Sequence, residues 1–183
     1  MKKKLLSFAL AAFLVLGLTG CGSSDAPSTG EKSKGKCDVF ECMEKLEPSQ
    51  SLEEMNKIIG FEGELQRETS DYKVYDWNLS ENTSISVQFM LKSNTSTISA
   101  NYLTTMAPQK SDFSKWDEIK SKLNKKETIT YDEFVKLVGG VQGTIKQKTK
   151  TSTSYSWYNA DGGYLTAYFS TDTGKCTMAS GRF

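Results

Sequence analysis

Residues 130–139 read TYDEFVKLVG, and residues 51–60 read SLEEMNKIIG. Laid one above the other, the two stretches share a design. Each opens on a hydroxyl residue, Thr130 or Ser51, and each places a glutamate three positions on, Glu133 or Glu54. That spacing makes a capping box, in which hydroxyl and carboxylate each accept from an otherwise orphaned amide at a helix start. Ile129 before the second cap and Phe134 inside it add a hydrophobic staple. Apolar residues then fall at Leu52, Met55, Ile58 and Ile59, and at Tyr131, Phe134, Leu137 and Val138, one helical face in each stretch. Gly60 and Gly139 follow, where a left-handed residue closes a helix.

Working outward, a further helix is expected before each of these. Val39, Cys42 and Leu46 have helical spacing, as do Trp116, Ile119 and Leu123. Pro48 stops the first, and the second fades into the charged NKKET at 124–128. After the capped helices the two parts align without a gap, residues 63–103 on 143–183, at a constant offset of 80. Six positions are identical: Gly63, Thr69, Tyr75, Trp77, Phe89 and Thr97 with their partners. The stronger signal is shared alternation. Tyr75 and Trp77 match Tyr155 and Trp157, while Ile85, Val87 and Phe89 match Leu165, Ala167 and Phe169. Period-two patterning of this kind makes half-buried strands. Breaks at Ser70-Asp71, Ser80-Glu81-Asn82 and Lys92-Ser93-Asn94 divide the first copy into four strands. Asp161-Gly162-Gly163 and Thr173-Gly174 are hairpin signals in the second. The expectation is an α+β chain of two tandem αα-ββββ repeats, at 37–103 and 112–183, joined by a linker at 104–111. Tyr-x-Trp is then the core face of the second strand, written once per repeat.

This pattern resembles the tandem-repeat fold of the β-lactamase inhibitory protein family, and a group of small Gram-positive lipoproteins that share the repeat. TITYDEFVKLVGG, residues 128–140, followed by YSWYN, 155–159, and the closing strands carry the resemblance, which spans about residues 37–183. It implies one eight-stranded antiparallel sheet with helices on the convex side. It also implies a concave sheet face that grips a target enzyme. Two departures stand out. The inhibitor has a disulfide within each repeat, and here the repeats lack matching Cys pairs. No motif places the inhibitor's enzyme-blocking hairpin residue in this chain.

The first twenty residues form a signal sequence. Lys2, Lys3 and Lys4 are followed by an apolar run from Leu5 to Leu18, then by Leu18-Thr19-Gly20-Cys21. The run is shorter than the roughly 20 residues a spanning helix needs. Leu18 to Cys21 resembles the lipobox of bacterial lipoproteins, which implies a diacylglyceryl lipid on the Cys21 thiol and an anchor in the membrane. Residues 21–36 hold the lipidated Cys and a Gly/Ser/Lys-rich stretch without large apolar residues, expected to be a flexible tether. The leader holds three of the 23 basic residues, so the remainder carries 20 against 22 acidic ones. No strong net field favours nucleic acid.

The chain contains no His. Ser-His-Asp, Cys-His and His-containing metal sites are therefore excluded. No cofactor or metal is expected apart from the lipid. Cys42 stands where the second repeat has Ile119, so a small buried hydrophobe is one role; a Cys37–Cys42 bridge needs Cys37 to lie before the helix. Cys176 beside Lys175 lacks a positioned base, which favours a structural or free thiol over a nucleophile. Glu53-Glu54 and Asp132-Glu133 sit in first helical turns, where negative charge suits the helix dipole. Lys146, Lys148 and Lys150 in IKQKTK fall on one strand face, read as protection of an edge strand.

One asymmetry separates the repeats. Opposite the core face lie Tyr158, Tyr164 and Tyr168, whose partners in the first repeat are Asn78, Ser84 and Gln88. Tyrosines beside serine and threonine on a solvent face are the composition that binding surfaces favour. Two plainer readings compete: Tyr is a good strand former anywhere, and loops can cover the face. The expected function is a membrane-anchored, non-catalytic protein-binding module of the cell envelope that uses this sheet face. The alternatives are an inhibitor of a β-lactamase or penicillin-binding enzyme, and an envelope assembly or structural lipoprotein.

Overall fold

The computed structural model describes residues 34–107 and 110–183. The signal sequence and the lipobox with Cys21 lie outside the described residues. Helices α1 (Val39–Lys45) and α2 (Leu52–Ile59) precede strands β1 (Glu64–Glu68), β2 (Tyr72–Asn78), β3 (Ser84–Met90) and β4 (Thr95–Asn101). A 3-10 turn at Thr104–Met106 leads to α3 (Trp116–Asn124) and α4 (Tyr131–Leu137). Strands β5 (Thr144–Lys148), β6 (Ser152–Tyr158), β7 (Tyr164–Ser170) and β8 (Cys176–Arg182) complete the chain. All eight strands join in sequential order into one antiparallel sheet. The α+β class expected from the sequence is present, with four α-helices and one eight-stranded sheet.

Local chemistry fixes the ends of the helices. Ser51 and Glu54 exchange hydrogen bonds, with Ser51 N donating to Glu54 Oε2 at 2.8 Å. Thr130 and Glu133 do the same at 2.8 Å. Gly60 and Gly139 hold φ of 103° and 89°, the left-handed region that glycine enters without cost. The Asp38 carboxylate starts α1 by accepting from the Phe40 and Glu41 amides.

Strand residues of one parity bury against the helices. Trp77, Ile85, Val87 and Ile98 pack with Val39, Met43, Leu46, Met55 and Ile59. Trp157, Leu165, Ala167 and Phe169 pack with Ile119, Phe134, Val135 and Val138. The helices therefore cover one face of the sheet and leave the other open. Each Val, Leu, Ile, Met or Phe side chain among them, fully buried, contributes on the order of 1.5–3 kcal/mol.

Details of this inner face recur eighty residues apart. Trp77 Nε1 donates to Phe61 O at 3.1 Å, and Trp157 Nε1 to Val141 O at 2.8 Å. A Cβ on Gly63 would stand 2.5 Å from the Trp77 indole, and one on Gly143 2.7 Å from that of Trp157. Each indole lies against bare backbone, so Gly and Trp have to occur together. Thr69 Oγ1 accepts from the Asp71 and Tyr72 amides, and Thr149 Oγ1 from those of Thr151 and Ser152. Tyr75 and Phe89 meet edge-on at 5.9 Å, Tyr155 and Phe169 at 5.8 Å. Five of the six identities thus have matching contacts.

The sixth, Thr97 with Thr177, has no such match, and it marks a correction. Gln88 pairs with Thr97 and Phe89 with Ser96, but Tyr168 pairs with Met178 and Phe169 with Cys176. Thr177 is an extra residue in a bulge, so the expected constant offset of 80 becomes 81 beyond it. Tyr102 corresponds to Phe183. A bulge among small residues leaves no mark on a hydrophobicity pattern.

The junction of the halves brings further corrections. β4 and β5 pair only at Ile98 with Lys148 and at Ser99 with Gln147. β5 is therefore an interior strand, and the edge-protection reading of its lysines fails. A bulge between Ile145 and Gln147 carries Lys146. Beyond it Gln147 pairs with Ser154 on the open face and Lys148 with Thr153 on the helix face, so Lys146 and Lys148 do not share a face as expected. Lys148 is 7% exposed. Its ammonium donates to Leu46 O at 2.8 Å, Glu44 O at 3.2 Å and Glu47 Oε1 at 2.7 Å. Those carbonyls lie at the C-terminal end of α1, where helix geometry leaves acceptors without partners and a cation is favoured.

Cys37 precedes α1 and forms a disulfide with Cys42. Cys42 is thus not a lone buried hydrophobe; the Asp38 cap puts Cys37 outside the helix and meets the condition for the bridge. The expected tether to residue 36 gives way earlier to docked backbone: Lys34 N donates to Leu79 O at 2.8 Å and Lys36 N to Ile59 O at 2.7 Å.

Candidate functional site

On the open face the two halves part ways. β2 to β4 present Asp76, Asn78, Ser84, Ser86, Gln88, Thr97 and Ser99. β6 and β7 present Ser154, Ser156, Tyr158, Tyr164, Thr166 and Tyr168. A groove of about 530 Å³ crosses the latter region, running from Asn101 and Tyr102 at the end of β4 to Ser180 on β8.

The structure brings all three expected tyrosines to this groove. Tyr158 and Tyr164 are register partners on neighbouring strands. Tyr168 stands four residues along β7, about 13 Å away at the rise of an extended strand. Tyr164 is 42% exposed and Tyr168 half-buried, but Tyr158 is only 6% exposed. The expectation of three solvent-facing rings is therefore corrected for Tyr158, which forms part of the floor. Its backbone is tied to the chain beyond the 3-10 turn, with Ser111 N donating to Tyr158 O at 2.8 Å. The Tyr102 ring lies 6.2 Å from its own.

Tyr102 and Lys146 are site residues that the strand pattern did not single out. Tyr102 follows β4 where β4 and β5 separate. Its ring meets Phe40 edge-on at 4.9 Å. Its hydroxyl belongs to a chain of donors. Tyr158 OH donates to Tyr102 OH at 3.3 Å, Tyr102 OH pairs with Thr144 Oγ1 at 2.7 Å, and Thr144 Oγ1 donates to Ser156 O at 3.1 Å. Each hydroxyl proton is directed inward, and the chain ends on a backbone carbonyl. Burial, above all, raises the Tyr102 phenol well above its ordinary pKa. Lys146 reaches the groove because its bulge re-aims it. Its Nζ stands 4.1 Å from the centre of the Tyr102 ring, a cation–π contact. Burial lowers its pKa from that of an exposed lysine. The signal available beforehand was slight: Tyr102 is an aromatic at the end of a polar strand, and the bulge at Lys146 left no pattern.

The other residues weighed for chemistry have structural surroundings. Cys176 is buried, its thiol donates to Met178 O at 3.5 Å, and burial pushes its pKa up to about 11. A thiol so held is a poor nucleophile. Glu54 and Glu133 are occupied in their capping boxes, and Glu53 pairs with Lys57 at 2.9 Å. Among the described residues no group of three or more Cys, Asp or Glu is placed to hold a metal ion. No protein-family model matches the chain, and no curated protein or solved structure does either.

Proposed function

We propose that this chain is a membrane-anchored lipoprotein and a non-catalytic protein-binding module of the cell envelope. Its contact surface is the open sheet face of the second half. One observation carries the reading: a broad groove lined by tyrosines and hydroxyl residues lies on the face that the helices leave uncovered. Tyr supplies large contact area at small entropic cost, and Ser and Thr supply adaptable hydrogen bonds. The lipobox around Cys21 is the support for the anchor. We read the halves as tandem αα-ββββ copies, on the strength of the recurring Gly–Trp contacts, indole-to-carbonyl bonds and threonine turns.

A second reading, inhibition of a β-lactamase or penicillin-binding enzyme, draws on the order of helices and strands. The disulfide in the first half and the free Cys176 in the second depart from the inhibitor's arrangement of one bridge per repeat.

Affinity capture tests the leading reading. The full chain, solubilised in mild detergent and immobilised, is expected to retain an envelope or secreted protein. The variant Tyr164→Ser/Tyr168→Ser is expected to lose it. Tyr158 is left intact because it is buried. Equal retention on both columns would move the site off this face, and an empty first column would remove the protein-binding reading. Replacing Cys21 with Ala is expected to abolish incorporation of labelled fatty acid; retained label would remove the anchor.

A further inference from the structure

The two sets of strands differ in charge as well as in aromatic content. β1 to β4 carry Glu64, Glu68 and Asp76 beside Arg67 and Lys73. β5 to β8 carry Lys146, Lys148 and Arg182 and no carboxylate at all. Lys148 is turned under α1, where its ammonium already has three acceptors. Lys146 and Arg182 remain for the open face; Arg182 is the register partner of Tyr164, whose side chain faces the same way. None of the residues lining the groove is acidic.

Lys146 is the informative residue. It is half-buried, fixed by a bulge and placed over an aromatic ring. The ring faces only one side of the ammonium, which has three hydrogens to donate. Among the described residues no carboxylate or carbonyl accepts one. The nearby Tyr158, Tyr102 and Thr144 hydroxyls have committed their protons inward. Tyr164 and Tyr168 have hydroxyls with no hydrogen bond among the described residues, and they stand in the same groove. A partly desolvated cation without a counter-charge, in a groove where Tyr164 and Tyr168 still have hydroxyl protons to donate, is complementary to an anion.

We propose that the groove receives carboxylates from an acidic segment of a partner polypeptide. Lys146 is the anchoring charge, Arg182 the second cation at the rim, and Tyr164 and Tyr168 the surface on which the segment packs. This rests on the protein-binding reading above and names the partner's chemistry. β5 and β8 are three strand spacings apart, about 14 Å, and the register sets Arg182 three residues, about 10 Å, further along the sheet than the level of Ile145 beside Lys146, so the two backbone positions lie about 17 Å apart. Two carboxylates four to five residues apart in an extended segment, about 14–17 Å, can therefore engage both cations, whose long side chains reach inward from those positions. Between the cations the surface is uncharged, aromatic and hydroxyl-bearing. That composition suits a polypeptide with separated charges better than a polymer charged at every unit.

The test uses a labelled Gly/Ser peptide carrying two aspartates four residues apart, its diasparagine counterpart, and polyphosphate. Each is titrated against the full chain in mild detergent by fluorescence polarisation. The aspartate peptide is expected to bind roughly tenfold or more tightly than the asparagine one, the size of a charge-assisted hydrogen bond. Lys146→Gln is expected to remove that preference, and Lys146→Arg to retain it, with circular dichroism showing both variants folded. Equal binding of the two peptides, no binding of either, or an unchanged preference in Lys146→Gln would overturn the proposal. Polyphosphate binding in preference to the aspartate peptide would assign the groove to a phosphate polymer instead. Capture separates the two levels of inference. A protein lost by Tyr164→Ser/Tyr168→Ser but held by Lys146→Gln defeats the acidic anchor and leaves the binding module standing. Aspartate binding with nothing captured does the reverse.

Discussion

Trp77 and Trp157 make the same two contacts with backbone, while Ser84 and Tyr164, which hold matching strand positions, have little in common. Each tryptophan presses on a glycine and donates to the carbonyl sixteen residues before it. Such a site constrains several residues at once, since changing the indole leaves a void and changing the glycine drives a side chain into a ring. On the other side of the same strands nothing is packed above Ser84, Ser86 and Gln88 by the helices. The corresponding positions of the second half hold Tyr164, Thr166 and Tyr168. The inner face is fixed by packing and the open face is not, so a difference between the halves on the open face is where a specific role is expected to be found.

The largest test of that equivalence is truncation of the two indoles. Trp77→Ala and Trp157→Ala should each cost about 3–5 kcal/mol, measured by urea unfolding. Near-equal losses support matched sites; a loss at one position much below the other would break the match. Lys148 and its counterpart Glu68 should behave oppositely. Lys148→Met strips the end of α1 of a buried donor and should cost roughly 1.5–3 kcal/mol. Glu68 forms an exposed pair with Lys73 at 2.9 Å, and Glu68→Gln should change stability by no more than about 0.5 kcal/mol. Similar effects at the two sites would mean that Lys148 does not clamp the halves together.

The caps offer a finer comparison. Ser51→Ala and Thr130→Ala should each cost about 1 kcal/mol at neutral pH. Hydrogen bonds from the backbone and hydroxyl of Ser51 and Thr130 hold the Glu54 and Glu133 carboxyls below their ordinary pKa of 4.5. A lowered pKa gives stability that is complete above the ordinary value and fades as pH falls through the lowered one. The difference between wild type and either cap variant should therefore shrink between pH 5 and about pH 3, and a constant difference would contradict the box. Smallest in stability terms is a probe of Cys176, whose counterpart is Ser96. With its pKa near 11, the native thiol should react with a disulfide reagent at pH 8 on the order of a hundredfold more slowly than in urea. Comparable rates would show that β8 opens freely.

Much of this molecule was legible residue by residue. Ser51 and Glu54, and Thr130 and Glu133, announce their helix starts because a capping box is closed within four residues. The alternation of Tyr155, Trp157, Leu165, Ala167 and Phe169 announces strands with one buried face, because side-chain direction follows chain position. The candidate site was legible in part. Tyr164 and Tyr168 follow from that same alternation, whereas Tyr158 meets Tyr102, a residue that reaches it from the first half. Tyr102 enters the site from the end of a strand in the other half, and no local pattern ties it to Lys146.

Short-range signals in the sequence suffice for the elements, for the capped helix starts and for the helix-facing residues of β2, β3, β6 and β7, since these depend on propensity, capping and periodicity over a few residues. The tertiary structure decided the rest. The bulges at Lys146 and Thr177 each add one residue, and one residue reverses which face every later side chain takes. Lys148 is an interior clamp only because β5 meets β4, and Lys146 faces a ring only because Tyr102 fills the gap where those strands part. These outcomes depend on contacts between residues as much as a hundred positions apart, as between Lys148 and Glu47, and no period within either half encodes them.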